Sequence, residues 1–177
     1  MRYFVCALVS AALLMASGEL SGRRAPGFSL PDLHVKQHDL EDYHGKIVVL
    51  DIIQTKCPHC AAFSEVLEKM HQRYGGKVVV LSIVNPPDTQ ATVSRYVTEH
   101  KISTPVLFDC GQVSVSYLKV TPANPKADVP HVFLIDGQGE IRNDYSFDFD
   151  HRNIFEGDAL NAEIDRLLAE TAPAKSR

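Results

Sequence analysis

The apolar positions of this chain fall into runs and stripes that alternate along its length. Ile47-Val48-Val49-Leu50-Asp51-Ile52-Ile53, led in by Gly45 and Lys46, is apolar on both alternating faces except at one carboxylate. That is the pattern of a strand at the centre of a covered sheet. After Pro58 the period changes. Cys60, Phe63, Leu67, Met70 and Tyr74 recur at three- and four-residue steps, which predicts a helix with one buried stripe. Gly75-Gly76 ends it. The pattern then repeats, with a second buried strand over Lys77–Val84, a helix over Thr89–His100 and a short strand over Pro105–Phe108. A short helix is expected over Gly111–Leu118, then a proline-containing loop over Thr121–Asp128 and a strand over Val129–Ile135. Asp136-Gly137-Gln138-Gly139 reads as a hairpin turn. It leads into a strand from Glu140 to about Phe147, and the acidic and aromatic run Asp144–Asp150 reads as an edge strand with a solvated face. A closing helix is expected over Gly157–Glu170, with Leu160, Ile164, Leu167 and Leu168 inward. Residues 19–32, rich in Gly, Ser, Pro and Arg, read as loop. The alternation defines an α/β fold, a mixed central sheet covered by helices.

The N-terminus is read separately. Arg2 precedes an apolar run from Tyr3 to Ala16 that is broken only by Ser10, and Ala16-Ser17-Gly18 supplies small residues for cleavage. This order predicts a secretory signal peptide over residues 1–18. The run is short for a membrane span, which needs about 20 apolar residues, and an uncleaved short anchor is the alternative. Cys6 lies at the start of the run, which disfavours a lipoprotein. Residues 19–44 then form an N-terminal extension, 45–172 the main domain and 173–177 a disordered tail. Both N-terminal readings place the domain in an export compartment, periplasmic or otherwise extracytoplasmic.

Charge and composition narrow the classes. The formal charge of −4 implies no basic surface, which argues against nucleic acid as a partner. The four cysteines do not make a disulfide-stapled framework. Cys6 belongs to the leader, Cys110 stands alone, and Cys57-Pro58-His59-Cys60 is one close pair at a strand-to-helix junction. A thiolate is the nucleophile of disulfide exchange. Cys57 sits where free N–H groups and the helix dipole favour an anion, with Pro58 suited to the first helical position and Lys56, together with His59 when protonated, adding positive charge. Cys60 lies one turn inward, placed to attack a mixed disulfide on Cys57. A structural zinc site needs four ligands, often two such pairs, and no second pair exists. His34 and His38 lie in an expected loop. With His44, His71, His100 and His151, they read as solvated. Cys110 reads as a bystander.

Several motifs in order carry a family resemblance. Ala25-Pro26-Gly27-Phe28-Ser29-Leu30-Pro31-Asp32-Leu33, then Leu40-Glu41-Asp42-Tyr43-His44-Gly45-Lys46-Ile47-Val48-Val49-Leu50, then Cys57-Pro58-His59-Cys60, resemble the opening of TlpA/ResA-like thiol–disulfide oxidoreductases. The resemblance spans residues 25–170. It implies a thioredoxin fold with an extra central αβ insert and an exported location. It further implies that Val129-Pro130, ahead of Phe133-Leu134-Ile135-Asp136, is the cis-proline strand, with Val129 and Pro130 walling the groove for a partner chain and His131 bordering it. Asp51, six residues before Cys57, stands where thioredoxins place an acidic residue. By that likeness it takes the Cys60 proton, and burial would raise its pKa as a base near neutrality requires. The partners implied are protein thiols and disulfides and an upstream redox protein, for which a membrane-bound one is an option. No cofactor is called for.

The departures bear on direction. Lys56 stands where the family has a tryptophan, and the chain has none, so the flat aromatic wall beside the site is expected to be missing. The scaffold resembles reductases, whereas Pro58-His59 and Val129 resemble the oxidase DsbA. Potentials of about −270 mV for thioredoxin and −120 mV for DsbA bracket the expectation, and His59 and Lys56 push toward the oxidising end. Two other readings stay open. One is a non-enzymatic Cu(I) carrier that uses the thiolates and a histidine. The other is a peroxiredoxin-like peroxidase, although Gln54 stands where that motif has its threonine.

Overall fold

A computed structural model describes residues 20–171. The expected leader, over residues 1–18, and tail, over residues 173–177, lie outside the described residues. Eight strands and five α-helices follow in the order β1 (Arg23–Arg24), β2 (Ser29–Pro31), β3 (Gln37–Asp39), β4 (Ile47–Ile53), α1 (Pro58–Tyr74), β5 (Val78–Val84), α2 (Gln90–Glu99), β6 (Val106–Phe108), α3 (Gln112–Leu118), β7 (His131–Ile135), β8 (Glu140–Ser146), α4 (Arg152–Glu156) and α5 (Asp158–Thr171). Six of the strands form one sheet in the order β1-β8-β7-β4-β5-β6. β4 pairs parallel with β5 and antiparallel with β7, so the sheet is mixed and β4 lies inside it. This is the thioredoxin fold, with α2 and β6 as the inserted αβ unit.

The pleat assigns the two faces. Val48, Leu50 and Ile52 point to a core shared with Val113 and Tyr117 of α3 and with Phe28, Leu30 and Leu40 of the N-terminal segment. Ile47 and Val49 point to the opposite core, built with Phe63, Leu67 and Met70 of α1 and Leu160, Ile164 and Leu167 of α5. Ile53 continues that face into a smaller cluster with Cys60, Val93 and Tyr96, where α1 meets α2. Every residue of β4 is buried, which is why the strand reads as an unbroken apolar run.

Three expectations need correction. The segment 19–32 is not all loop, since β1 extends the edge of β8 and β2 pairs with β3. Strands of two and three residues are too short to show a period. His38 is not solvated. It is 3% exposed, its ring 2.6 Å from the Tyr43 hydroxyl and 3.0 Å from Asp32 Oδ2, so two partners satisfy both ring nitrogens in the core. The run Asp144–Asp150 is not one edge strand, because β8 stops at Ser146 and the chain turns into α4. Within it Asp144 is only 10% exposed and accepts contacts from His131 and Ser21. Among the described residues no helix is long and apolar enough to cross a membrane.

Candidate active site

β4 delivers the chain from the sheet centre to the site. A turn closed by the Cys57 N–H on the Gln54 carbonyl, at 3.1 Å, follows it. Cys57 is then the N-cap of α1, with extended backbone and Pro58 inside the first turn. Its Sγ accepts the Cys60 backbone N–H at 3.2 Å. The sulfur therefore satisfies one of the orphan donors of the helix, the place where an anion is most favoured. Both thiols are free. Cys57 is half-buried, whereas Cys60 is 0% exposed. Burial, followed by the hydrogen bond with Cys57, holds the Cys60 thiol far above its usual range, and the charges of Asp51 and Cys57 act the same way.

Asp51 lies on the α1 face of β4, between Val49 and Ile53. It is 0% exposed, and among the described residues neither carboxyl oxygen has a hydrogen-bond partner. Burial raises its pKa well above the ordinary 3.8, because ionising a carboxyl in an apolar setting without donors is costly. The Val129-Pro130 peptide bond is cis, and the Val129 carbonyl faces Cys57 Sγ at 3.8 Å. Pro130 is buried and Val129 half-buried, and Val129 packs against both the α3-side core and the smaller cluster that holds Cys60.

The remaining expected residues divide. Lys56, Pro58 and His59 are exposed around Cys57. His131 is not turned to the pair. Its ring engages Asp144 at 3.3 Å and Ser146 at 3.4 Å and stacks on Phe133. It lines a separate cavity of about 220 Å³ with Tyr117, Lys126 and Asp144. The strand pleat explains this, since His131 and Phe133 share the face opposite α1. Among the described residues no group of three or more His, Cys, Asp or Glu gathers as a metal site.

Sequence reasoning missed three features. An aromatic corner lies on the other side of the pair, where His59 stacks on Phe147 with ring centroids 4.3 Å apart. Phe147 in turn meets Phe155 of α4 at 5.2 Å. With Phe63 and the 87% exposed Phe149, these rings line a cavity of about 580 Å³ next to His59. Alternating acidic residues hid the aromatic ones. Second, Asp88 accepts the Thr55 backbone N–H at 2.9 Å and also the Thr55 hydroxyl, which ties the turn before Cys57 to the start of α2. Third, Tyr96 packs beside Cys60. Its place in the i, i+3 stripe of α2 with Val93 was the available signal.

A buried thiol behind an N-capping thiol, beside a cis-proline on a thioredoxin-fold sheet, defines a class, the thioredoxin-like thiol–disulfide oxidoreductases. Comparison with known proteins agrees with that class. The chain belongs to the AhpC/TSA family, whose model matches residues 21–144. It is 31% identical over 150 residues to the thiol-disulfide oxidoreductase ResA of Halalkalibacterium halodurans, covering 80% of this chain and 82% of that protein. A ResA of Bacillus thuringiensis is 29% identical over 120 residues, and the match spans 66% of its length. In fold, the thioredoxin domain of a Bacteroides vulgatus thiol-disulfide oxidoreductase superposes with a TM-score of 0.63, at 21% identity over 77% of this chain and 95% of that domain.

Proposed function

We propose that this protein is exported and exchanges disulfides with partner proteins through Cys57 and Cys60. The observation that carries the reading is the asymmetry of the pair. Cys57 Sγ is half-exposed at the helix N-cap, with the Cys60 N–H at 3.2 Å, whereas Cys60 is fully buried behind it. Cys57 attacks the partner's disulfide and Cys60 resolves the mixed disulfide. In the resolving step the Cys60 proton passes to Asp51, and the new thiolate attacks Cys57 Sγ. The bond from Cys57 to the partner sulfur breaks, and the partner leaves as a thiolate. The partner is reduced and the Cys57–Cys60 pair oxidised; the same steps in reverse oxidise a partner.

The other residues serve that exchange. Val129 and Pro130 offer a half-buried wall and a carbonyl beside Cys57, where an extended partner chain lies against the site. His131, turned to Asp144, has no part in that wall. Pro58, His59 and Lys56 tune Cys57, the last two through positive charge. The apolar run from Tyr3 to Ala16 supports export, to the periplasm or an equivalent extracytoplasmic space. There an upstream redox protein resets the pair.

Trapping tests the reading. The Cys60→Ala variant, expressed with its leader, accumulates Cys57-linked mixed disulfides, and identifying the captured proteins gives substrate and direction together. Capture by Cys60 in a Cys57→Ala variant instead reverses the assigned roles.

A further inference from the structure

The Cys60 side of the site holds a polar pair that the exchange chemistry does not use. Tyr96 of α2 is 3% exposed and Ser64 of α1 is 4% exposed. Their hydroxyl oxygens lie 2.7 Å apart. Ser64 is one turn beyond Cys60 on the buried side of α1. Tyr96 packs in the same apolar cluster as Cys60, Ile53 and Val84. Two hydroxyls bring two hydrogens, and the contact between them uses one. Among the described residues neither oxygen has another hydrogen-bond partner. One O–H is therefore free to turn inside a buried cluster, where an unused donor is costly.

Asp51 presents the complementary deficit, two buried carboxyl oxygens with no donor among the described residues. It lies on the same face of the sheet, next to Ile53. Burial raises the Tyr96 phenol, the Ser64 hydrogen bond lowers it, and the charges of Asp51, Cys60 and Cys57 raise it further. The phenol is thus within electrostatic reach of all three. The ionisable groups that face Asp51 are Cys60 from α1 and Tyr96 from α2, and Tyr96 itself also packs in one cluster with Cys57 and, ring to ring at 4.8 Å, against His100. The flanking strands place Ser82 and Val132 beside it, neither of which ionises in this range.

We propose that Tyr96 and Ser64 are a positioning pair for the resolving step. Their spare hydroxyl hydrogen is given to the Asp51 carboxylate whenever that group is ionised, and this fixes how readily Asp51 takes the Cys60 proton. Ser64 orients the phenol, and the phenol supplies the hydrogen bond. The pair gains and loses no electrons and keeps its own protons. The proton that moves goes from Cys60 sulfur to Asp51 oxygen. The proposal rests on the reading of Asp51 as that acceptor, and the inserted helix α2 thereby contributes to the chemistry of α1 and β4.

A single-turnover assay separates the two steps. The reduced full chain, carrying Cys6→Ser and Cys110→Ser, is mixed with the aromatic disulfide dithiobis-nitrobenzoate. Cys57 attack releases one thionitrobenzoate, and Cys60 attack on the resulting mixed disulfide releases the second. In Tyr96→Phe, which keeps the ring, the first phase is unchanged. The pH midpoint of the second phase rises by about one unit, the scale of a hydrogen bond to a charged group. Ser64→Ala shifts it the same way and Ser64→Thr restores it. A Tyr96→Phe profile that superimposes on the parent's, or one slowed equally at every pH, overturns the proposal. Asp51→Asn distinguishes the two levels. If it flattens the profile while Tyr96→Phe leaves the midpoint in place, only the Tyr96 assignment falls. If it leaves the pH dependence intact, the acceptor is not Asp51 and both readings fall.

Discussion

The His59 imidazole lies face to face with Phe147, ring centroids 4.3 Å apart and planes 26° from parallel. The stacking holds the imidazole in place beside Cys57, at a scale of about 0.5–1.5 kcal/mol for an aromatic pair. Positive charge placed there would favour a thiolate and hence the reduced pair. The reduction potential is expected between about −270 and −120 mV. His59→Ala should lower it by about 30 mV, and Phe147→Leu should lower it less, as measured by equilibration with glutathione. A parent potential below that of thioredoxin contradicts the assignment.

Asp51 gives stability a pH dependence of definite sign. Its folded-state pKa is raised above the ordinary 3.8, so the native protein holds a proton that the unfolded chain releases. Stability is full below pH 3.8 and declines as pH rises toward the folded-state pKa, by about 1.4 kcal/mol per unit. Asp51→Asn removes this decline. Urea unfolding from pH 4 to pH 8 should show the variant gaining on the parent as pH rises. Parallel curves would show that the carboxyl is ionised in the folded state.

The His38 cluster should be stabilising. Removing the ring in His38→Ala leaves the Tyr43 hydroxyl and an oxygen of Asp32 without their partner, at a cost of about 1–3 kcal/mol. Asp32 titrates in the opposite sense to Asp51. Burial raises its pKa, but hydrogen bonds from His38 and from the His34 and Lys36 backbone outweigh this and lower it overall. Its contribution is present above pH 3.8 and lost as pH falls. The His38→Ala deficit, read by denaturant midpoint, should therefore shrink in acid.

Gly157 ends α4 just behind the aromatic corner. It caps α4 at φ +101°, and a Cβ there would meet Val66 Cγ1 at 2.6 Å. Gly157→Ala should cost about 1–3 kcal/mol from the backbone conformation alone. It should also displace Phe155 and open the cavity beside His59, raising binding of an apolar fluorescent dye. An unchanged melting temperature would contradict this account.

The legible and illegible parts of the molecule differ in physical kind. β4, α1, β5 and α5 announce themselves because burial on a regular lattice writes a period into the residues. The location of Cys57 on a helix N-terminus follows from Pro58 and the stripe behind it. The burial of Asp51 is readable from its six apolar neighbours in β4. β1, β2 and β3 are held by pairing partners distant in sequence, and two or three residues carry no period. His38 looks solvated because its partners, Asp32 and Tyr43, meet it only when the hairpin folds. The Phe147–Phe149 corner and the Tyr96–Ser64 pair join residues from separate elements, a juxtaposition that no local pattern encodes.

β4 has a consequence for how the protein can vary. Its side chains alternate between two cores, and its last residues run straight into the turn that carries Cys57. A slip of one residue would exchange Asp51 with an apolar neighbour and turn the carboxyl into the opposite core. The proposed proton acceptor Asp51, the proposed nucleophile Cys57 and both cores are therefore indexed by one strand register and can only change together. The freedom to diversify lies outside that register, in His59, Phe147, Phe149 and α4. Related chains can acquire new partners at that rim while the reaction centre beneath stays locked to the sheet.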